Sequence, residues 1–548
     1  MKYFKLLSIF IVMGMLAGCA AAPSASTPGA LATATSAPSA DLPWWKTAVF
    51  YEIFVRSFKD SNGDGIGDFN GVTQELDYLN DGNPDTTNDL GITAIWLMPI
   101  NPSPSYHGYD VLNYYNVNPE YGTMEDFKRL LEEAHKRGIR IIIDLVLNHT
   151  SSAHPFFSSA VSVASSPYRD WYIWSAESNG NHWYDSGSTT GPRYYYGYFS
   201  SQMPDLNYRN PDVTAQMEKV TEFWLEEVGV DGFRVDAAKH LIEDGNVLEN
   251  TPETHEWFKG FYTFYKGVNP DAFVIGEVAG SDARATESYD DDQMDMVFNF
   301  ELASGFVNSA NGGAISGVGS AVAFIQNDAP DWNFGTFLTN HDQPRVMSTL
   351  GGNIGKAKVA AALLLSSPGT PFIYYGEEIG MQGTKPDEYI RRPMQWAGDP
   401  STGFTTGTPW EPLGENSQTV NVKAEESDAA SLLSWYKELI HFRQENPIIS
   451  IGKYIPVKAD KNTVYAALRE LNGEAVLVVI NLSKEPVEDF ALSWQGSGLA
   501  DGNYRLSSIF GSSGLESVQL LGANATAVHP LQRLEPFQVV YFGIDKAE

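Results

Sequence analysis

Carboxylates, one guanidinium and several imidazoles recur in this chain at the ends of short apolar runs. Residues 140–149 carry Asp144, Asn148 and His149; residues 229–240 carry Arg234, Asp236, Lys239 and His240; residues 273–278 carry Glu277; and residues 337–342 carry His341 and Asp342. Arg234 and Asp236 are two positions apart, which on a strand places both on one side. A guanidinium beside Asp236 favours the ionised form that a nucleophile requires. Glu277 closes an apolar run, where partial burial and nearby carboxylates should raise its pKa as a general acid requires. Taken singly, each of these residues also reads as a cap, a turn residue or half of a salt bridge. Their joint appearance at strand ends is what points to chemistry.

Such residues converge only if the elements before them are arranged to bring them together. Apolar runs at 49–55, 94–98, 140–147, 232–236, 272–277, 295–300, 335–338 and 371–375 alternate with amphipathic stretches such as 124–137 and 213–227, which end at Gly138 and Gly229 as helices often do. Eight alternations predict an α/β fold, a (β/α)8 TIM barrel, whose strand C-termini form the active face. Two intervals break this rhythm. Residues 150–205, after the third strand, are rich in Trp, Tyr, Gly and Ser and long enough to be functional or a small inserted domain. After a helix-like stretch at 431–444, β-type alternation at 463–468, 475–481 and 538–543 predicts a C-terminal all-β domain.

The 548 residues hold 36 basic and 68 acidic side chains, a formal charge of −32. Nucleic acids and anionic headgroups would be repelled, so the substrate is expected to be neutral or cationic. A 43% hydrophobic and 19% charged composition supports large cores and argues against wholesale disorder. A single cysteine excludes an intramolecular disulfide. Residues 1–18 combine Lys2 and Lys5 with an apolar stretch too short to span a bilayer comfortably, the pattern of an export signal. Leu16-Ala17-Gly18-Cys19 resembles the bacterial lipobox, which implies cleavage before Cys19 and a diacylglycerol on its sulfur. The alternatives are an uncleaved anchor helix and an ordinary secretory signal. Almost wholly Ala, Ser, Thr and Pro, residues 19–42 read as a tether. The expected location is the extracytoplasmic face of the bacterial envelope, with membrane contact through the lipid alone.

The four strand-end segments, in order, resemble four motifs of the α-amylase family, retaining α-glucan hydrolases and transglycosylases. Residues 203–207 resemble a fifth motif, residues 106–110 its sugar-stacking loop, and residues 392–396 a further familiar stretch. The resemblance implies a barrel, domain A, over 43–149 and 206–446; an excursion, domain B, over 150–205; and a β-sandwich, domain C, over 447–548. It implies that Asp236 attacks the anomeric carbon, that Glu277 protonates the leaving oxygen and later activates water, and that Asp342 stabilises the oxocarbenium-like transition state. His149, Arg234 and His341 would surround the same sugar, Tyr109 would stack on it, and His107, Lys239 and His240 would bind substrate, the last two beyond the scissile bond. A salt bridge is the alternative for Lys239. Endo-acting hydrolysis of α-glucan is the expected activity. An exo-acting α-glucosidase or a transglycosylase is the main alternative, and an inactive glucan-binding protein on the same fold a third.

Residues 60–68 present oxygen donors at alternate positions, with glycines allowing a tight wrap. The loop resembles a calcium site, although Gly71 stands where an EF-hand has its last glutamate, and a strand precedes the loop. A metal-free turn is the alternative. The family resemblance implies Ca2+ on Asp60, Asn62, Asp64, the Ile66 carbonyl and Asp68, and in many relatives a second calcium involving Asn148 and Asp205.

Overall fold

Eight short buried strands carry a side-chain period of two, one set facing inward and the other outward. They are β1 (Phe50–Ile53), β2 (Ala94–Leu97), β3 (Arg140–Leu145), β4 (Gly232–Val235), β5 (Phe273–Gly276), β6 (Met296–Phe298), β7 (Phe334–Thr336) and β8 (Thr370–Tyr374). All eight pair in parallel with their neighbours and β8 returns to β1, closing a barrel. The computed structural model describes residues 42–189, 191–328, 333–398 and 403–547. The expected export signal, Cys19 and the tether through residue 41 lie outside the described residues.

Parallel strands need crossovers, and the helices that supply them cover the barrel. The helix Met124–Lys136 starts at a reciprocal capping box between Thr123 and Asp126 and buries Phe127, Leu130, Leu131 and Ala134 on one face. The helix Pro211–Glu222 continues as a π-helical turn, Phe223–Val228, and stops at Gly229 in the left-handed region (φ 92°). Outward residues Tyr51, Ile53, Ile95, Leu97, Ile141 and Ile143 pack under the helices, whereas Phe50, Trp96, Ile142, Phe273, Ile275, Phe298 and Phe372 fill the interior. Register then decides what lies above that filling: Glu52 pairs with Trp96 across β1 and β2, and Asp144 with Arg234 across β3 and β4.

Between β3 and the helix Pro211–Glu222 the chain forms a helix, Pro155–Ser162, and a three-stranded antiparallel sheet from Trp174–Ser175, Trp183–Asp185 and Tyr194–Tyr196. The excursion rejoins the barrel beside its point of departure, where His149 bridges Asp205 and Tyr172 bridges Leu206.

The C-terminal strands are β9 (Lys453–Ala459), β10 (Val464–Leu471), β11 (Glu474–Asn481), β12 (Leu492–Trp494), β13 (Gly502–Phe510), β14 (Glu516–Leu521), β15 (Ala525–Val528) and β16 (Val539–Lys546). They form one antiparallel sheet in the order β14-β13-β16-β11-β10-β9-β12-β15. Strand β9 pairs with β10 through Lys453 to Val457 and with β12 through Lys458 and Ala459, so the sheet folds around its own core, which includes Ile455, Leu468, Leu477, Leu506 and Phe542. The opposite face, with Tyr465, Ala467, Val476, Val478, Ile480 and Tyr541, shares the barrel's core. Among the described residues, no helix is long and apolar enough to cross a membrane.

Candidate active site

Arg234 is 1% exposed and stands at the centre of the barrel mouth. Its Nη1 donates to Asp144 Oδ1 and Asp236 Oδ1, both at 2.7 Å, and its Nη2 donates to Glu277 Oε2 at 2.6 Å. One guanidinium thus holds Asp236 and Glu277 side by side with their outer edges open, at 12% and 14% side-chain exposure. Burial raises the Asp236 carboxyl above its ordinary value; Arg234 opposes the shift and Asp342 adds to it. The guanidinium therefore acts in the expected direction, but desolvation outweighs it. Glu277 is raised by burial and by the Asp236 and Asp342 charges, against Arg234. Asp144, fully enclosed, is lifted by burial to about 7. The residue after Asp236, Ala237, adopts a left-handed conformation (φ 48°) that non-glycine residues rarely take. That turn aims the Ala237 N–H at Glu277 Oε2, 3.3 Å away.

The opposite wall is built from β7 and β1. His341 is fully buried: its Nδ1 faces Glu52 Oε1 at 2.6 Å, and its Nε2 faces the Tyr109 hydroxyl at 2.7 Å and Asp342 Oδ2 at 3.2 Å. Burial disfavours the imidazolium, but Asp342 and Glu52 outweigh it and push the pKa up to about 10. Asp342, with a side chain 47% exposed, also accepts from Arg391 Nη2 at 2.7 Å. Although burial works against ionisation, His341 and Arg391 hold the Asp342 carboxyl far below the usual range.

Tyr109 lies nearly parallel to His341, ring centroids 5.7 Å apart, and donates from its hydroxyl to Asp144 Oδ2 at 3.2 Å. His107 stacks on Tyr109 and accepts the Tyr109 backbone N–H at its Nδ1. His149 places Nε2 3.2 Å from the Tyr109 carbonyl, and burial lowers its pKa to about 4, leaving a neutral ring. His240 is held through Nδ1 by the Leu248 carbonyl and stacks on Tyr198 at 4.0 Å. Lys239 forms an ion pair with Glu249. The structure thus gathers Tyr109, Arg234, His240 and His341 around the three carboxylates, with His107 and His149 held against Tyr109, while the Lys239 ammonium already has a partner.

At the 60–68 loop, Asp60 accepts N–H groups from Asn62, Gly63 and Gly65, Asn62 accepts from Asp64, and Asp64 accepts from Ile66. Asp68 caps the helix Phe69–Gln74 and also accepts from Ser61. Burial opposes ionisation of Asp60, but hydrogen bonds from Thr405 and the Gly63, Gly65 and Asn62 N–H groups keep its carboxyl below the ordinary value. The side-chain oxygens turn into the loop, where a cation could share them, yet the loop closes on its own N–H groups. Asn148 and Asp205 present the opposite situation: among the described residues the Asn148 amide, Asp205 Oδ2, Glu243 Oε1 and the Tyr196 hydroxyl are buried with no well-aligned partner, Asn148 facing only Asp205 and Tyr196 only Glu243. Burial raises both carboxyls, Glu243 to about 7. Among the described residues, no three His, Cys, Asp or Glu side chains gather to hold a metal by themselves, so either site would need amide or carbonyl ligands as well.

Sequence reasoning passed over Glu52, Trp96, Arg391, Tyr198 and Phe199. Glu52 had left a signal, a carboxylate inside the apolar run 49–55. Phe199, 45% exposed beside His149 and His240, had none that separates it from a core aromatic.

Two carboxylates held by one guanidinium at the C-terminal mouth of such a barrel fit a glycoside hydrolase, and the chain's likeness to known proteins gives that class. The family model for Alpha amylase, catalytic domain, matches residues 52–452, and the chain belongs to the α-amylase family. Alpha-amylase 3 of Dictyoglomus thermophilum is 43% identical over 449 residues, covering 81% of this chain and 86% of that relative. An oligo-1,6-glucosidase of Parageobacillus thermoglucosidasius is 35% identical over 526 residues, covering 81% and 91%. Among solved structures, the α-amylase from H. orenii superposes with a TM-score of 0.78 at 39% identity, covering 92% of this chain and 100% of that one. The trehalulose synthase MutB from Pseudomonas mesoacidophila MX-45 gives 0.76 at 30% identity over the same shares.

Proposed function

We propose that this enzyme cleaves internal α-1,4-glucosidic bonds of starch, glycogen or maltooligosaccharides by double displacement with retention. The observation that carries the reading is the single buried guanidinium holding Asp236 and Glu277 side by side at the barrel mouth, each still partly exposed. Asp236 attacks the anomeric carbon while Glu277 gives its proton to the departing glycosidic oxygen, so the C–O bond breaks as the glycosyl ester forms. The Glu277 carboxylate then takes a proton from water, whose oxygen displaces Asp236 and restores it. Asp342, held ionised, accepts hydrogen bonds from sugar hydroxyls and stabilises positive charge at the anomeric centre. Tyr109 offers its ring face, and His107, His149, Arg234 and His341 enclose the sugar.

Endo action is supported by His240, four residues beyond Asp236, and by the exposed Phe199 that the inserted segment places against it. Contacts there contribute to the chemical step only if the chain extends past the scissile bond. Exo-acting α-glucosidase or transglycosylase action is the second reading. It is favoured by the pairing of Lys239 with Glu249 and by relatives that include an oligo-1,6-glucosidase and a trehalulose synthase. The test is a timed product profile on starch with viscosity followed in parallel. Short α-configured oligosaccharides with an early fall in viscosity support endo hydrolysis; glucose alone from chain ends with viscosity unchanged replaces it with the second reading.

The proposal extends to Ca2+ at the 60–68 loop, with oxygens from Asp60, Asn62, Asp64, the Ile66 carbonyl and Asp68, and to a second cation at Asn148 and Asp205. A bound ion would add fixed positive charge at either site, and at Asn148 and Asp205 it would hold the end of the inserted segment to the barrel. The reading also includes export and anchoring through lipidated Cys19. Cys19→Ser should release the enzyme from membranes with its specific activity unchanged, and detergent-phase partitioning that persists in the variant would sink the anchor.

A further inference from the structure

Glu52 lies on β1, 2% exposed, and its position in the barrel register points it inward with Trp96 rather than outward with the apolar Tyr51 and Ile53. A buried carboxylate is costly unless a partner compensates it, and the partner here is His341 Nδ1 at 2.6 Å. The far side of the same ring meets the buried Tyr109 hydroxyl and Oδ2 of the half-exposed Asp342. We propose that Glu52 is a positioning residue which, from beneath the site, holds His341 doubly protonated and so fixes the hydrogen-bond direction of Tyr109 and Asp342. This role rests on the hydrolase reading above.

The direction of each bond follows from the proton count. With both ring nitrogens protonated, Nδ1–H donates to Glu52 and Nε2–H donates towards Tyr109 and Asp342. The Tyr109 hydroxyl then keeps its own proton for Asp144 Oδ2, and Asp342 meets a donor. In a neutral ring with the proton on Nδ1, Nε2 would present a lone pair to Asp342, and the Tyr109 proton would be drawn from Asp144 to Nε2. The imidazolium is favoured on geometry alone, because carboxylates flank the ring at both nitrogens. The high pKa of His341 agrees with that arrangement. Asp144, Asp236 and Glu277 also sense the His341 charge from neighbouring strand ends. Arg391 donates through Nε to the His341 carbonyl, and Arg234 acts on Asp342 from across the mouth. Around Glu52 itself, Tyr374 and Glu377 on the β8 side feel its charge.

The experiment is a pH titration of [13Cε1]histidine-labelled full-length enzyme by NMR, with the His341 signal assigned by its loss in His341→Asn, alongside kcat and KM for Glu52→Gln and Glu52→Asp. In the parent, His341 should remain imidazolium to pH 9. In Glu52→Gln it should titrate below pH 8.5, and kcat on maltooligosaccharides should fall at least tenfold more at pH 8.5 than at pH 5.5, with KM changed less than threefold. Glu52→Asp, which restores the charge, should recover part of the loss. An imidazolium that persists to pH 9 in Glu52→Gln overturns the proposal, and so does a kcat loss that is the same at every pH. If the parent does not hydrolyse α-glucan at all, the functional reading fails, while the titration still decides whether Glu52 sets the state of His341.

Discussion

Arg234 contacts both Asp236 and Glu277, so neutralising either carboxylate leaves the other facing an altered charge. Asp236→Asn should abolish turnover by several orders of magnitude, and Glu277→Gln should cost about 10²–10⁴-fold on starch. A substrate with a good leaving group, such as an activated aryl maltoside, should rescue glycosylation in Glu277→Gln but not in Asp236→Asn, because only the first variant lacks nothing but a proton. Equal rescue of both would mean that their roles are exchanged. The pH profile gives an independent check. Glu277 is raised above its ordinary 4.5 by burial and neighbouring carboxylates, and in the proposed role of acid it must be protonated, so activity should be lost as pH rises through its shifted pKa. Asp236, raised above 3.8, must be ionised in the proposed role of nucleophile, so activity should be lost as pH falls through its own. On the activated substrate, Glu277→Gln should lose the alkaline limb of the pre-steady-state glycosylation rate and keep the acid limb. An alkaline limb that stays in place would assign it to another group.

Elements explain why so much of this was legible. Each of the eight apolar runs became a barrel strand, but every expected run extended one or two residues past the observed strand end; after β3, β4 and β5 those residues, 146–147, 236 and 277, are where the chain turns towards the barrel mouth. Strand identity is written locally, in apolar patches and helix caps, and the motifs that follow each strand read out in order. Glu52 shows what is not local. Its partner His341 is 289 positions away, and only closure of β8 onto β1 brings that part of the barrel together. The direction of the Asp236 shift was likewise hidden, since the guanidinium beside it is visible in sequence and the extent of burial is not. At the 60–68 loop, alternate spacing signalled oxygen donors but not the N–H groups they already accept. The calcium proposal therefore predicts a thermal response. A cation that binds only the folded state stabilises it by about 2.7 kcal/mol at a hundredfold excess over Kd, so chelation should lower the Tm. Asp64→Ala should remove the share of that response due to the loop, leaving whatever the second site contributes. A Tm identical in chelator and in excess Ca2+ would rule out a stabilising cation at either site.

The barrel and the C-terminal sheet meet through an apolar face beside which two arginines are buried, one within the barrel and one crossing to it from the sheet. Arg443 donates to the carbonyls of Leu365, Ser367 and Gly369 at the C-terminal end of the helix Ile354–Ser366. From β10, Arg469 reaches the carbonyls of Ser366 at 3.0 Å and Gly452 at 2.7 Å. Among the described residues neither is seen in an ion pair with a carboxylate; what offsets their charge is the partial negative end of the helix and the carbonyl dipoles. Burial and mutual repulsion lower Arg443 to about 9, and burial lowers Arg469 to about 10, so both guanidiniums remain charged at neutral pH. Arg469→Met keeps most of the volume but removes every donor, leaving carbonyls from both bodies without partners in a closed interface. Each buried orphan costs about 1–3 kcal/mol, so the variant should lose about 2–6 kcal/mol. Because Arg469 ties β10 to the end of a barrel helix, the loss should fall on the coupling between the two bodies. Urea unfolding followed by tryptophan fluorescence and by starch hydrolysis should show coincident transitions in the parent. In Arg469→Met the fluorescence transition should begin at lower urea and separate from the loss of activity, with kcat unchanged at zero denaturant. Coincident curves at the parent midpoint would show that the apolar face alone joins the sheet to the barrel.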